Sequence, residues 1–93
     1  MAIHFYQFSL TKDVPFSVKI EKDSMRLGDL LDMIDRDYSV NLNARIHDDD
    51  HYDAVDPNIV LSVNGVRVSF LDNFDTIVKD GDEVTVGVLL AGG

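Results

Sequence analysis

Two stretches of this sequence have residue types and spacing that suggest chemistry: the closing Leu89-Leu90-Ala91-Gly92-Gly93 and the mid-chain run His47-Asp48-Asp49-Asp50-His51. Glycine adds no packing surface and loses the most conformational freedom when fixed, so a closing glycine pair does nothing for a fold. Either the pair is a frayed end, as most domain termini are, or it is the working group. The residues before it decide between these. In the second run, histidines at i and i+4 with carboxylates between them have the spacing of a divalent-metal site if the segment is helical. The segment has no apolar stripe, however, and runs of aspartate are ordinarily solvated loop, so no metal ligand is assigned there. Neither Gly28 nor Gly81 lies in a phosphate-cradling glycine motif, no nucleophile motif is present, and His4 stands isolated in an apolar stretch.

Composition narrows the function further. A chain of 93 residues is one domain with a single modest core, and 45% hydrophobic with 27% charged residues is the make-up of a globular protein. Seventeen acidic against eight basic residues give a net charge of -9. Such a surface repels phosphate backbones and anionic headgroups, so nucleic acid and membranes are not expected partners, whereas a basic protein surface is. With no cysteine there is no disulfide, thiolate nucleophile or cysteine-held metal, which fits a reducing compartment. The opening MAIHFYQFSL lacks a basic, cleavable leader, and no run is long enough to cross a bilayer, so the expectation is a cytoplasmic protein.

These residues need a scaffold, and periodicity supplies its outline. Residues 3–10 are rich in β-branched and aromatic side chains, and residues 16–21 alternate with Phe16, Val18 and Ile20 on one face. Turn chemistry at Asp13 and Pro15 joins them into a hairpin with one buried face. Leu27, Leu30, Leu31, Ile34 and Tyr38 then recur at helical spacing, with Asp29, Asp32, Asp35 and Arg36 toward water and Ser24 placed to cap the start. Residues 39–58 show no sustained period and are read as a long, mobile, solvated connection. Asn64-Gly65 within residues 59–68 is the strongest local hairpin signal. A last strand follows a tight turn at Gly81, with Val84, Val86, Val88 and Leu90 sharing a face. The expected core is Phe16, Val18, Ile20, Leu30, Leu31, Ile34, Leu61, Val63, Val84 and Val86. Strand-strand-helix-strand-strand-strand with one helix across one sheet face is an α+β layer in the order of a β-grasp.

The ending Ile77-Val78-Lys79-Asp80-Gly81-Asp82-Glu83, then a hydrophobic strand and Ala91-Gly92-Gly93, resembles the ThiS and MoaD sulfur-carrier families of the ubiquitin-like β-grasp fold. Leu27-Gly28-Asp29-Leu30-Leu31 is similar to their helix opening, and Val63-Asn64-Gly65 to their mid-chain hairpin. The resemblance implies a mixed sheet wrapped on one main helix: a β-grasp domain over residues 1–90 that includes the 39–58 connection, and a flexible tail over 91–93. It also implies a role. The Gly93 carboxylate, on the slender leader Gly92, would be adenylated by a ubiquitin-activating-enzyme-like adenylyltransferase that uses ATP, and then converted to a thiocarboxylate. Leu89, Leu90 and Ala91 would meet that partner, with exposed acids such as Asp82 and Glu83 steering the encounter. The chain itself would be no enzyme and hold no cofactor, although it could serve as the small subunit of a synthase.

Gly87-Val88-Leu89-Leu90 stands where molybdopterin-type carriers often have aromatic or proline residues, and the 39–58 connection is longer than thiazole-type carriers usually have, so the pathway stays open. Three readings follow: a sulfur carrier for molybdopterin, thiamine or other sulfur-transfer biosynthesis, a protein modifier joined through its glycine to target lysines, and a plain β-grasp interaction domain.

Overall fold

The computed structural model describes residues 1–8, 17–39, 41–48 and 54–88. Strand β1 (Ala2–Phe8) runs antiparallel to β2 (Ser17–Lys19), after which β3 (Ser24–Arg26) leads directly into α1 (Leu27–Tyr38). A one-turn helix α2 (Leu42–Ile46) precedes β4 (Ile59–Val63) and β5 (Val66–Arg67). Two 3₁₀ turns, Val68–Phe70 and Asn73–Asp75, then lead to β6 (Ile77–Lys79) and β7 (Glu83–Val88). Five strands form one mixed sheet in the order β2-β1-β7-β4-β5, and β3 pairs with β6 in a separate ribbon. This is a ubiquitin-like β-grasp, a mixed sheet wrapped on one main helix.

Strand alternation and the helical stripe build its core. Ile3 and Phe5 of β1, Leu61 and Val63 of β4, and Val84 and Val86 of β7 are buried on one face of the sheet. Against them lies the stripe Leu27, Leu30, Leu31 and Ile34 of α1, also buried. Each such side chain stabilises the fold by about 1.5–3 kcal/mol relative to exposure. Val18 joins the core as expected, Ile20 is only partly buried against it, and Phe16 lies outside the described residues. Tyr38, at the end of the expected stripe, is exposed, because α1 stops there with Ser39 left-handed at φ 55°.

The start of the helix differs from the expected capping by Ser24. That residue sits in β3, opposite Lys79 of β6. The N-cap position falls to Arg26, which makes no side-chain cap bond. Instead the Leu27 backbone N–H donates to the Thr76 carbonyl at 2.8 Å, so a distant loop satisfies a donor that a local serine would otherwise meet. The Arg26 guanidinium turns outward to bond Asp29 at 3.0 Å and, through Nε, Asp75 at 2.9 Å.

Residues 42–46 also depart from the expected solvated connection. Leu42 and Ile46, one helical turn apart, are both buried in the core. Asp35 of α1 caps this short helix from outside, accepting the Leu42 N–H at 2.7 Å and the Asn43 N–H at 3.0 Å. A single turn is too short to show a period in sequence, and its cap lies in another helix. The chain then bridges His47 to Val55, with residues 49–53 outside the description.

The hairpin at Asn64-Gly65 is as the sequence predicts, with φ of 52° and 82° at the two central residues, the geometry of a type I′ turn. Strand β6 was not anticipated: it leaves the main sheet to pair with β3, and carries the buried Val78.

Replacing Ile46 with alanine tests whether α2 belongs to the core. Its complete burial predicts a loss of about 2–5 kcal/mol, read as a lower melting temperature in calorimetry. An unchanged melting temperature would return this segment to solvated connection.

Candidate functional site

Gly92 and Gly93, and with them Leu89, Leu90 and Ala91, lie outside the described residues. What the structure gives is the strand that presents them. Strand β7 is bonded on both flanks, parallel to β1 from His4↔Glu83 to Phe8↔Gly87, and antiparallel to β4 from Val63↔Val84 to Ile59↔Val88. The last described residue, Val88, is thus still paired and half-buried.

The start of β7 is held by a polar clamp. Gly81, at φ 85°, makes the turn that a side chain would strain, and donates its N–H to the Ala2 carbonyl at 2.9 Å. Asp80 accepts the Ala2 N–H at 2.7 Å. Asp82 is only 6% exposed and accepts from the Asn64 side-chain amide and from the Lys79 N–H, both at 2.9 Å. Asn64 completes the clamp with its Oδ1, which accepts the Glu83 N–H at 2.9 Å. Asp82 is therefore not the exposed steering acid the sequence suggested: its carboxylate is spent inside the fold, while Glu83 beside it is exposed.

Alternation puts the remaining side chains of these strands on the outer face of the sheet, away from α1. Register aligns Tyr6, Thr85, Ser62 and Arg67 in one row across β1, β7, β4 and β5. Val60 and Gly87 pair in the next row, nearer the end of β7. Arg67 forms no ion pair among the described residues. The row forms a surface beside the exit of the chain and carries no catalytic group. It was not visible in the sequence because it requires the register of four strands, whereas the turn glycine and the hairpin asparagine each had a local signal.

His47, half of the histidine pair considered for a metal, stacks on Phe74 with ring centroids 4.1 Å apart, and its Nε2 meets Asn43 Oδ1 at 2.9 Å. Its expected counterpart His51 is outside the described residues. Among the described residues no group of three or more His, Cys, Asp or Glu side chains is arranged to hold a metal ion, and no helix is long and apolar enough to cross a membrane.

The sequence profile of the ThiS family matches residues 9–93, nearly the whole chain and all of β7 with the residues beyond it. The chain belongs to the ThiS family. Solved structures share its fold. The solution structure of the Haloferax volcanii HVO 2177 protein is similar at 29% identity and a TM-score of 0.67, covering 100% of this chain and 87% of that one. The solution structure of Urm1 from Trypanosoma brucei shares the fold at 18% identity and a TM-score of 0.70, covering 99% of this chain and 95% of that one. No curated protein matches the chain. As a ThiS-family member it is a ubiquitin-like protein of the carrier or modifier class.

Asp82→Ala leaves two donors without their acceptor and should cost about 1–3 kcal/mol. Hydrogen exchange should quicken at Lys79 and through the first residues of β7, while α1 keeps its protection. Unaltered exchange at Lys79 would mean that the clamp is not what holds the strand.

Proposed function

We propose that this protein is a sulfur carrier whose reactive group is the carboxylate of Gly93. The observation that carries the proposal is the family match, which runs to Gly93. The structure supplies a physical rationale: a strand bonded on both flanks makes a fixed base for a short leader.

A carboxylate is a poor electrophile until one oxygen becomes a good leaving group. In the proposed first step a Gly93 carboxylate oxygen attacks the α-phosphorus of ATP in a ubiquitin-activating-enzyme-like adenylyltransferase, forming an acyl-phosphate bond and releasing pyrophosphate. The outer sulfur of a persulfide carried by a partner then adds to the acyl carbon and expels AMP, and a second thiol attacks the inner sulfur of the resulting acyl disulfide, releasing the thiocarboxylate and leaving a disulfide on the donor. The chain contains no cysteine, so neither the sulfur nor a thioester can come from its own side chains. It also has no phosphate cradle of its own, which assigns ATP to the partner. Gly92 suits the leader because any Cβ there would widen a chain that must enter another protein's nucleotide pocket. The thiocarboxylate would serve cofactor biosynthesis of the molybdopterin or thiamine type, or another sulfur transfer, with this chain as carrier or as the small subunit of a synthase.

Leu89, Leu90 and Ala91 are the apolar residues before the glycines that a partner would grip in this reading. The net charge of -9 directs the encounter toward basic groups on the partner. Association should therefore slow as salt rises. Leu90→Asp should weaken the complex itself, mainly through faster dissociation, whereas Glu83→Lys should change chiefly the association rate. Salt-independent association in stopped flow would contradict the steering.

The decisive test is pyrophosphate exchange with the cognate activating enzyme. Near-attack geometry tolerates little error, and misplacement by about 1 Å costs on the order of a hundredfold. Deleting Gly93, or adding one residue after it, should abolish exchange while the melting temperature stays unchanged. Intact mass of the protein from its own cells should show one oxygen replaced by sulfur. Undiminished exchange by the deletion variant would refute the carrier reading.

A further inference from the structure

The loop between β5 and β6 holds an apolar tip that the fold does not use. Phe70 is 81% exposed and Leu71 beside it 42% exposed, although both sit on a well-fastened segment. Val68 before them and Phe74 after them are buried pins. Between the pins the backbone closes on itself: Leu71 N–H donates to Val68 O at 2.9 Å, Asp75 N–H to Asp72 O at 2.9 Å, and Asp72 N–H to Thr76 Oγ1 at 3.1 Å. A phenylalanine displayed on a preordered loop offers a partner contact area without the entropy of ordering a flexible segment.

Directly after this tip, Asp72, Asn73, Phe74 and Asp75 line a cleft of about 370 Å³ whose other wall is Arg26, Gly28 and Asp32 at the start of α1, with His47 also lining it. Gly28 allows the two walls to meet, since a Cβ there would lie 3.3 Å from the Phe74 carbonyl oxygen. The His47–Phe74 stack gives the cleft an aromatic surface. Its charge is unbalanced: Asp32, Asp72 and Asp75 face a single cation, Arg26, which Asp75 and Asp29 already engage. The cleft lies on the helix side of the sheet, away from its outer face.

We propose that Phe70, Leu71 and this cleft form a docking surface for a second protein partner, which binds through a short basic segment. An aliphatic or aromatic side chain of that segment packs on Phe70 and Leu71, and a lysine or arginine one or two positions away enters the cleft toward Asp72 and Asp32. Charge selects this occupant. A second copy of this chain would bring -9 against -9, and a lipid or nucleic-acid phosphate would meet three carboxylates. Apolar packing beside a charge-matched recess is the arrangement of an anchored interface, with the exposed aromatic as anchor. Because the surface lies on the helix side, such a partner leaves the outer face of the sheet uncovered.

The test uses the full chain, displayed against a random dodecapeptide library, followed by titration of the enriched peptides in NMR. Enriched peptides should combine lysine or arginine with an adjacent large apolar residue and shift the amides of Phe70, Leu71, Asp72, Phe74 and His47. Affinity should fall at least roughly tenfold in Phe70→Ser and in Asp72→Asn, neither of which touches the core. It should also weaken with salt and be unchanged by deletion of Gly93, which separates this surface from the activation chemistry. The proposal is overturned if no peptides enrich, if they are acidic, or if Phe70→Ser binds them as well as the parent does. A dimer in sedimentation equilibrium that Phe70→Ser dissolves would also overturn it, because the occupant would then be a second copy.

Discussion

The parallel pairing of β1 with β7 is the constraint on which the rest of the fold depends. It joins the first described strand to the last, so almost the whole chain must be arranged before it can form, and no local signal can substitute for it. Once made, it places β7 between β1 and β4 and stacks Phe5 beside Val84 and Leu61 beside Val86, the floor on which α1 lays Leu27, Leu30, Leu31 and Ile34. For the carrier chemistry proposed above, it also sets the base from which the leader would start. A reacting group on a leader must be brought to a position defined within an ångström or so, and the freedom to be removed grows with every unanchored residue before it. Val88 is still paired to Ile59, so the sheet fixes the chain up to that residue.

Polar groups at the edges of this arrangement are as constrained as the apolar ones inside it. Asp82 is a buried acid in a protein with an excess of acids, and it is tolerable because the Asn64 amide and the Lys79 N–H both donate to it. Asp35 plays the corresponding part for α2. Some of the acidity that composition assigns to partner attraction is therefore structural, and the charge available for steering is smaller than the net value implies.

This division explains what could be read from the sequence. The stripe of α1 from Leu27 to Ile34, the alternation of Val84 and Val86 in β7 and the turn at Asn64-Gly65 are patterns of neighbours, and each is where the sequence places it. Ser24 misled because a three-residue strand beside a helix has the composition of a cap, and only Lys79 of β6 reveals which it is. Leu42 and Ile46 were hidden in an acidic connection, where one turn capped from α1 has no period to detect. The burial of Asp82 could not be seen because its partner Asn64 lies in a different hairpin. For the candidate site, the glycines suggest a leader by residue type alone and lie outside the described residues, whereas Tyr6, Thr85, Ser62 and Arg67 become neighbours only through strand register.

The two sides of the sheet then differ in the partners they suit. The outer face carries Lys19, Glu83 and Arg67, which has no ion pair among the described residues, among uncharged side chains, so its charges of both signs nearly cancel. The helix side carries three carboxylates around a recess, beside an exposed aromatic. A protein bound at the outer face must match shape and hydrogen bonding, with an acid opposite Arg67 as its one strong electrostatic option, whereas a protein bound on the helix side must be basic. Partners with opposite electrostatic demands do not compete for the same surface. Each of these two surfaces can be tuned by substitution at exposed side chains such as Arg67 and Asp72 without disturbing β7, because neither residue belongs to the buried core.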